Sequence, residues 1–273
     1  MKHLVKIVTL LSAALLSGMA SVQGSVLIRH SGSIDPATEG WTLQQGNNPR
    51  ISAHAATDGG TAVWQINNVK NTPEETGSTH YLYYQSFLPQ DLDLSTGWSL
   101  TVSLRVDGVS QATGAQSTIT FLSEYDLSGQ RLSGNDRISY TMYFGTASGG
   151  GIRFQVLTSD GAVTVATGST ATAGDYHTFS LEWNPGDTAV SALFDGEVVK
   201  SDFAGVTAST VIRSNLQWGN AATSSSLDRT TYWKQVEFAV VPEPSTLGFL
   251  GIFGGFMAAC ATLSRRGQQG TNR

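Results

Sequence analysis

Most of this chain is cut into short runs in which apolar residues fall on every second position, and that period of two constrains the fold more than any other feature. In residues 99–106, Leu100, Val102, Leu104 and Val106 share one face while Ser99, Thr101, Ser103 and Arg105 share the other. Residues 176–183 repeat the pattern with Phe179, Leu181 and Trp183 in line. Successive side chains of an extended strand point to opposite faces, so this spacing reads as half-buried strands and not as helix. Shorter runs of the same kind occupy residues 81–87, 118–122, 138–144, 152–156, 190–194 and 233–238. Between them lie turn formers: Asp58-Gly59-Gly60, Ser128-Gly129, residues 148–151, Asp160-Gly161, residues 184–187 and Asp195-Gly196. Asp-Gly and Asn-Pro-Gly put glycine where a positive φ is needed. Many strands joined by tight turns predict an all-β, two-sheet jelly-roll sandwich. No repeat of fixed period and no proline-rich or serine-rich linker divides the interior, so one domain is expected over residues 25–240, with 221–226 a short polar loop.

The two ends read differently. Residues 1–24 have a positive start at Lys2 and Lys6, a short apolar stretch at 7–16 and small residues after it, the pattern of a secretory signal peptide. Cleavage after Ala20 or after Gly24 both fit. Residues 246–263 hold no charged side chain, a run approaching the roughly 20 apolar residues that a bilayer-crossing helix needs. Arg265 and Arg266 follow at once, and positive charge beside a membrane helix stays on the cytoplasmic side, so the chain before it is expected outside. In front stands Pro242-Glu243-Pro244, held extended because proline lacks an N–H and restricts the residue before it. Motif, apolar helix and terminal basic pair, in that order over residues 241–273, resemble the PEP-CTERM sorting signal. The resemblance implies that an exosortase in the inner membrane recognises Pro242, Glu243 and Pro244, with Arg265 and Arg266 as the basic cluster. It further implies removal of the tail and delivery to the cell surface or extracellular matrix. The extension 267–273 is longer than such tails usually are.

Charge narrows the partners. The full chain carries a formal −5, and its two ends hold five positive charges and the one negative charge of Glu243, so the part between carries −9. An acidic domain is a poor ligand for nucleic acid. The single cysteine, Cys260, lies in the apolar tail, so no intrachain disulfide can form and the domain must be held by its core. No Cys/His cluster has zinc-ligand spacing.

Residues 176–199 read strand, turn, strand, Asp-Gly turn, strand. They resemble the late hairpins of concanavalin A-like lectin/glucanase (LamG-like) jelly rolls, in which a Tyr/Trp-His strand precedes an apolar-Asp-Gly turn. Residues 35–41, and Trp64 to Ile66 after Asp58-Gly59-Gly60, are similar to opening strands of such domains.

Glycosidases of this class set two carboxylates on one strand face, since one protonates the leaving oxygen while the other attacks. Here Glu124 and Asp126 stand in that spacing, but Gly129 occupies the place of the second glutamate. The reading favoured is that both are residues leading into the Ser128-Gly129 turn. Asp160-Gly161 lacks the aromatic partner of a sialidase Asp-box, and no Gly-x-Ser-x-Gly elbow occurs. His177, without a nominated partner, reads as structural. Six tryptophans offer rings for sugars, though most should be core. Trp218, beside a polar loop with Asn220, is the ligand-binding candidate. Asp35, Asp58 and Asp187 are of the kind that hold calcium in related folds, and equally make turns; no metal is assigned. The expectation is an exported, non-catalytic surface or matrix protein that binds glycan or another envelope polymer. The alternative is a secreted polysaccharide hydrolase of the same fold.

Overall fold

The structure, a computed structural model, describes residues 25–46, 51–68, 80–90, 92–107, 115–146, 151–167, 175–210, 212–222 and 229–240. Residues 26–240 form one compact unit. The signal peptide, the motif at Pro242–Pro244, the apolar run 246–263 and the basic pair Arg265 and Arg266 lie outside the described residues. Among the described residues no helix is long and apolar enough to cross a membrane.

Sixteen strands are described: β1 (Ser25–Ser31), β2 (Thr42–Gln45), β3 (Ile51–Asp58), β4 (Thr61–Asn68), β5 (His80–Phe87), β6 (Trp98–Asp107), β7 (Ala115–Ser123) and β8 (Asp136–Thr146). Then come β9 (Ile152–Thr158), β10 (Gly161–Thr167), β11 (His177–Trp183), β12 (Val190–Phe194), β13 (Glu197–Phe203), β14 (Val206–Ser209), β15 (Asn215–Ala222) and β16 (Arg229–Val240). They form two eight-stranded sheets. The first runs β13-β12-β11-β6-β16-β4-β3, with β1 beside β16; the second runs β10-β9-β8-β7-β15-β5-β2, with β14 beside β8. The all-β sandwich expected from the alternation is what the chain forms.

The alternation sets the register. Leu100, Val102 and Leu104 of β6 face Leu181, Phe179 and His177 of β11, so both strands turn the same apolar face to the other sheet. The 176–199 stretch folds as read: β11, a turn in which Asp187 Oδ2 accepts from Asn184 N at 3.2 Å, β12, a turn at Asp195-Gly196 and β13. Asp195 and Gly196 have φ of 49° and 86°, the left-handed pair that a two-residue hairpin turn requires.

All six tryptophans are buried, between 0 and 7 % exposed. Trp218 stands at the centre of one aromatic cluster, its ring centroid 4.6 Å from His30, 4.8 Å from Tyr84, 5.0 Å from Trp233 and 5.8 Å from Trp41. Trp98 gathers a second with Phe121, Tyr140 and Phe238. Burying a large apolar side chain contributes about 1.5–3 kcal/mol, so these rings stabilise the domain without any cross-link.

The early segment is tied on by polar groups. Asp35 caps a 3-10 turn over Pro36–Glu39, accepting from Ala37 N at 2.9 Å. Glu39 then accepts from Ser31 N at 3.1 Å and meets the fully buried His30 Nδ1 at 2.7 Å. Burial drives the His30 pKa down to about 4 against the raising charge of Asp35, so the ring is neutral at pH 7 and its Nδ1–H donates to Glu39.

Candidate functional site

The alternation that fills the core also fixes what the second sheet shows to the outside. On β15, Leu216 and Trp218 point inward, leaving Asn215, Gln217 and Gly219 outward. On β5, Leu82 and Tyr84 point inward and Tyr81, Tyr83 and Gln85 outward. Register extends the outward positions into rows across the sheet. One row runs Gln44, Tyr83, Gly219, Thr118, Tyr143, Gln155 and Thr164 on seven neighbouring strands. The next holds Gln85, Gln217, Thr120 and Thr141.

This face is polar, and it is recessed. Gln85, Ser139, Thr141 and Gln155 point away from the core, yet none is more than 9 % exposed. Hydrogen bonds pave the floor: Thr120 Oγ1 to Thr141 Oγ1 at 3.0 Å, Thr141 Oγ1 to Ser139 Oγ at 3.0 Å, Gln155 Nε2 to Thr164 Oγ1 at 3.1 Å and Gln217 Nε2 to Asn215 Oδ1 at 3.0 Å. Two tyrosines stand on it side by side, Tyr81 and Tyr83, ring centroids 5.5 Å apart. Burial raises the pKa of Tyr83, helped by Tyr81, and burial alone raises that of Tyr143, so both hydroxyls stay protonated donors. Gly219 lets the sheet close beneath them. Its φ is 145°, and a Cβ there would run into the Leu82 carbonyl oxygen and lie 2.8 Å from Tyr83 Cα. A recessed floor of hydroxyls and amides with aromatic rings can hydrogen-bond and stack on a sugar chain.

The residues nominated by sequence fall elsewhere. Trp218 and Asn220 occupy inward positions of β15 and are both 0 % exposed, so neither is a surface platform; the outward residues around them, Gln217 and Gly219, carry the face instead. The strand, expected to give way to a polar loop at 221, runs to Ala222. His177 Nδ1 meets Asp195 Oδ2 at 2.7 Å and its ring stacks on Phe194, tying β11 to the turn between β12 and β13.

Glu124 and Asp126 do not form an acid pair. Glu124, one residue beyond β7, is buried; Oε1 accepts from Arg131 Nη2 at 2.8 Å and lies 3.2 Å from Arg137 Nη2, while Oε2 accepts from Ser214 N at 3.1 Å. Burial alone would raise its pKa, but the Arg131 bond, the Ser214 N–H and the charges of Arg137 and Arg131 outweigh burial and hold it below the usual range. A carboxyl so held is a poor proton donor near neutrality. Asp126 Oδ1 is the centre of a turn, accepting from Ser128 N, Ser128 Oγ and Gln130 N.

The aspartates weighed for calcium are engaged internally. Asp35 and Asp187 hold the turns described above, and Asp58, at the end of β3, is gripped by Arg105 Nε at 2.7 Å and Nη2 at 2.9 Å, with the Tyr176 hydroxyl donating to it at 2.7 Å. Among the described residues no group of three or more His, Cys, Asp or Glu converges. A separate open cleft of about 450 Å³ is lined by Arg29, Glu39, Phe87 and Arg213 among others, between the β1 segment and the end of β5.

No protein-family model and no curated protein matches this chain. Solved structures do. The chain is similar to a carbohydrate esterase of the Shiga toxin-encoding bacteriophage phi24B, with 12% identity over 80% of this chain and 99% of that one, at a TM-score of 0.55. It is more distantly similar to the alginate lyase Aly36B (12% identity, 78% and 93% covered, TM-score 0.45) and to a Bacillus licheniformis beta-glucanase (13%, 73% and 97%, TM-score 0.39). At such identity the likeness shows the fold, and the fold is a two-sheet sandwich of the kind expected. The expectation of a non-catalytic protein is corrected by the same finding. A sandwich of this kind, matched over 80% of this chain, is described as a carbohydrate esterase, so the missing second glutamate beside Glu124 is no ground for excluding catalysis.

Proposed function

We propose that this protein is an exported carbohydrate-active enzyme that lays a polysaccharide across the outer face of the second sheet. The observation that carries the reading is that face: a recessed, hydrogen-bonded polar floor bearing Tyr81 and Tyr83, on a sandwich of the same fold as a carbohydrate esterase. Adjacent strands lie about 4.8 Å apart, so the four steps from Tyr83 to Gln155 cover about 19 Å, room for several sugar residues. Glu124 has a structural part, clamping the start of the Ser128-Gly129 turn to β8 through Arg137.

The test is a panel of polysaccharides read for binding, chain cleavage and ester release. Tyr83→Ala is expected to weaken binding about tenfold, the worth of one lost stacking contact, with the fold intact. Absence of binding and turnover on every polymer, or a Tyr83→Ala variant that binds as wild type, would sink the reading. Glu124→Gln serves as the control. The depressed pKa of Glu124 stabilises the fold above the ordinary carboxyl value near 4.5 and that contribution fades as pH falls through the folded value. The variant should therefore lose stability at neutral pH while a correctly folded fraction keeps its turnover; abolished turnover in fully folded protein would place Glu124 in the chemistry.

Delivery rests on the ends. The signal peptide at 1–24 and the PEP-CTERM-like tail at 241–273 support export, exosortase recognition at Pro242-Glu243-Pro244 and a final place at the cell surface or matrix. Replacing those three residues by alanine is expected to leave full-length protein in the inner membrane. Normal surface appearance of that variant, measured by fractionation and mass spectrometry of the carboxyl terminus, would refute the assignment.

A further inference from the structure

Resting on the polysaccharide reading, we propose that the polymer is acidic: Arg153 and Gln155 of β9 form a subsite for a sugar carboxylate and its neighbouring hydroxyl. Both residues occupy outward positions, because Ile152, Phe154 and Val156 between and beside them fill the core at 0–1 % exposure. They lie about 7 Å apart along the strand, on the same side. Arg153 faces Gly145 across the β8–β9 ladder, so no side chain covers it from that neighbour. Its Nε and Nη2 are enclosed and have no hydrogen-bond partner among the described residues.

Arg153 as a whole is half-buried, but enclosed donors without an acceptor are costly, and the two-pronged Nε/Nη2 edge matches the two oxygens of a carboxylate. Gln155 is 8 % exposed; its Nε2 is used on Thr164 Oγ1, and its Oε1 is enclosed without a partner among the described residues. Among the described residues one group therefore lacks an acceptor and the other lacks a donor, two residues apart along the same strand. A uronic acid supplies both at once, a carboxylate for Arg153 and a ring hydroxyl for Gln155; a neutral sugar supplies only the second.

Charge across the face agrees. The outward positions described on β5, β15, β7, β8 and β9 hold Arg137 and Arg153 and no carboxylate, and Arg137 is already paired with Glu124. Among the described residues Arg153 is thus an unmatched positive charge, in a chain of net negative charge.

The experiment compares polygalacturonate, the same polymer with its carboxylates reduced to alcohols, and a sulfated galactan, each titrated against the full chain and against Arg153→Met and Tyr83→Ala. Wild type should bind polygalacturonate about tenfold to a hundredfold more tightly than the reduced polymer, the range for a hydrogen bond to a charged group. Arg153→Met should erase that ratio, while Tyr83→Ala weakens both polymers and keeps it. Arg153→Met should also melt at the same temperature as wild type or higher, since two enclosed donors without acceptors are removed, and should lose the melting-point rise that polygalacturonate gives wild type. Equal binding of native and reduced polymer, or an unchanged ratio in Arg153→Met, overturns the subsite while Tyr83-dependent binding leaves the polysaccharide reading standing. Preference for the sulfated galactan overturns the carboxylate assignment. Failure of all three polymers, with neutral polysaccharides also unbound, removes both.

Discussion

Trp218→Ala is expected to lower the unfolding free energy by about 3–5 kcal/mol, the range for removing a large buried aromatic. The ring touches partners from both sheets and from the early segment: Tyr84 on β5, Trp233 on β16, His30 on β1 and Trp41 just after the 3-10 turn. Deleting it opens a void that rigid neighbouring rings cannot fill, because packed interiors relax only in part. Denaturant unfolding followed by fluorescence measures the loss, and Trp218→Phe should recover a good part of it. A Trp218→Ala variant with wild-type stability and lost sugar binding would mean that the ring faces solvent, and the assignment of faces on β15 would be inverted.

Arg105→Met with Asp58 left in place is expected to cost a similar amount, about 3–5 kcal/mol, for an electrostatic reason. Arg105 is 3 % exposed and Asp58 7 %, and the pair is bidentate at 2.7 and 2.9 Å. Tyr232 stacks its ring under the guanidinium at 4.1 Å, and Tyr176 adds its hydroxyl to Asp58. The four come from β3, β6, β16 and the residue before β11, so the cluster pins the outer face of the first sheet. Removing the cation leaves a carboxylate enclosed with only part of its partners. Replacing both charges together, Asp58→Leu with Arg105→Met, should restore much of the loss, since a buried ion pair is worth little more than apolar residues of its size. Equal destabilisation of single and double variants, measured as a double-mutant cycle, would show that the pair acts through packing alone.

The sandwich was legible because its inward positions are apolar at a strict period of two on β6, β8, β11 and β12, and because Asp195-Gly196 can form only a narrow choice of turns. What the pattern hid was the strands whose inward face is not uniformly apolar. β15 carries Asn220 inward at 0 % exposure, so its end resembled a polar loop, and β1 places His30 inward. Trp218 was misplaced for the same reason: flanking Gln217, Gly219 and Asn220 look like a surface, yet alternation sends only two of them out. Arg105 read as the solvent face of β6; its partner Asp58 lies 47 residues earlier in an Asp-Gly-Gly turn signal, and no local spacing links them. The outer face of the second sheet is not legible in any one stretch because its longest row is assembled from seven strands, each contributing one residue. A signal was present: Tyr81, Tyr83 and Gln85 share a parity opposite to Leu82 and Tyr84, which places two aromatic rings outside before any partner strand is known.

β16 sits between β6 and β4 in the middle of the first sheet, with β1 also beside it. Until residue 240 has been delivered, that sheet lacks the strand joining β13-β12-β11-β6 to β4-β3 and holding β1, with bare ladder edges on β6 and β4. Such edges invite pairing with other chains. A chain emerging amino-end first would therefore remain association-prone until its final strand docks, and folding would be completed by the segment next to the tail.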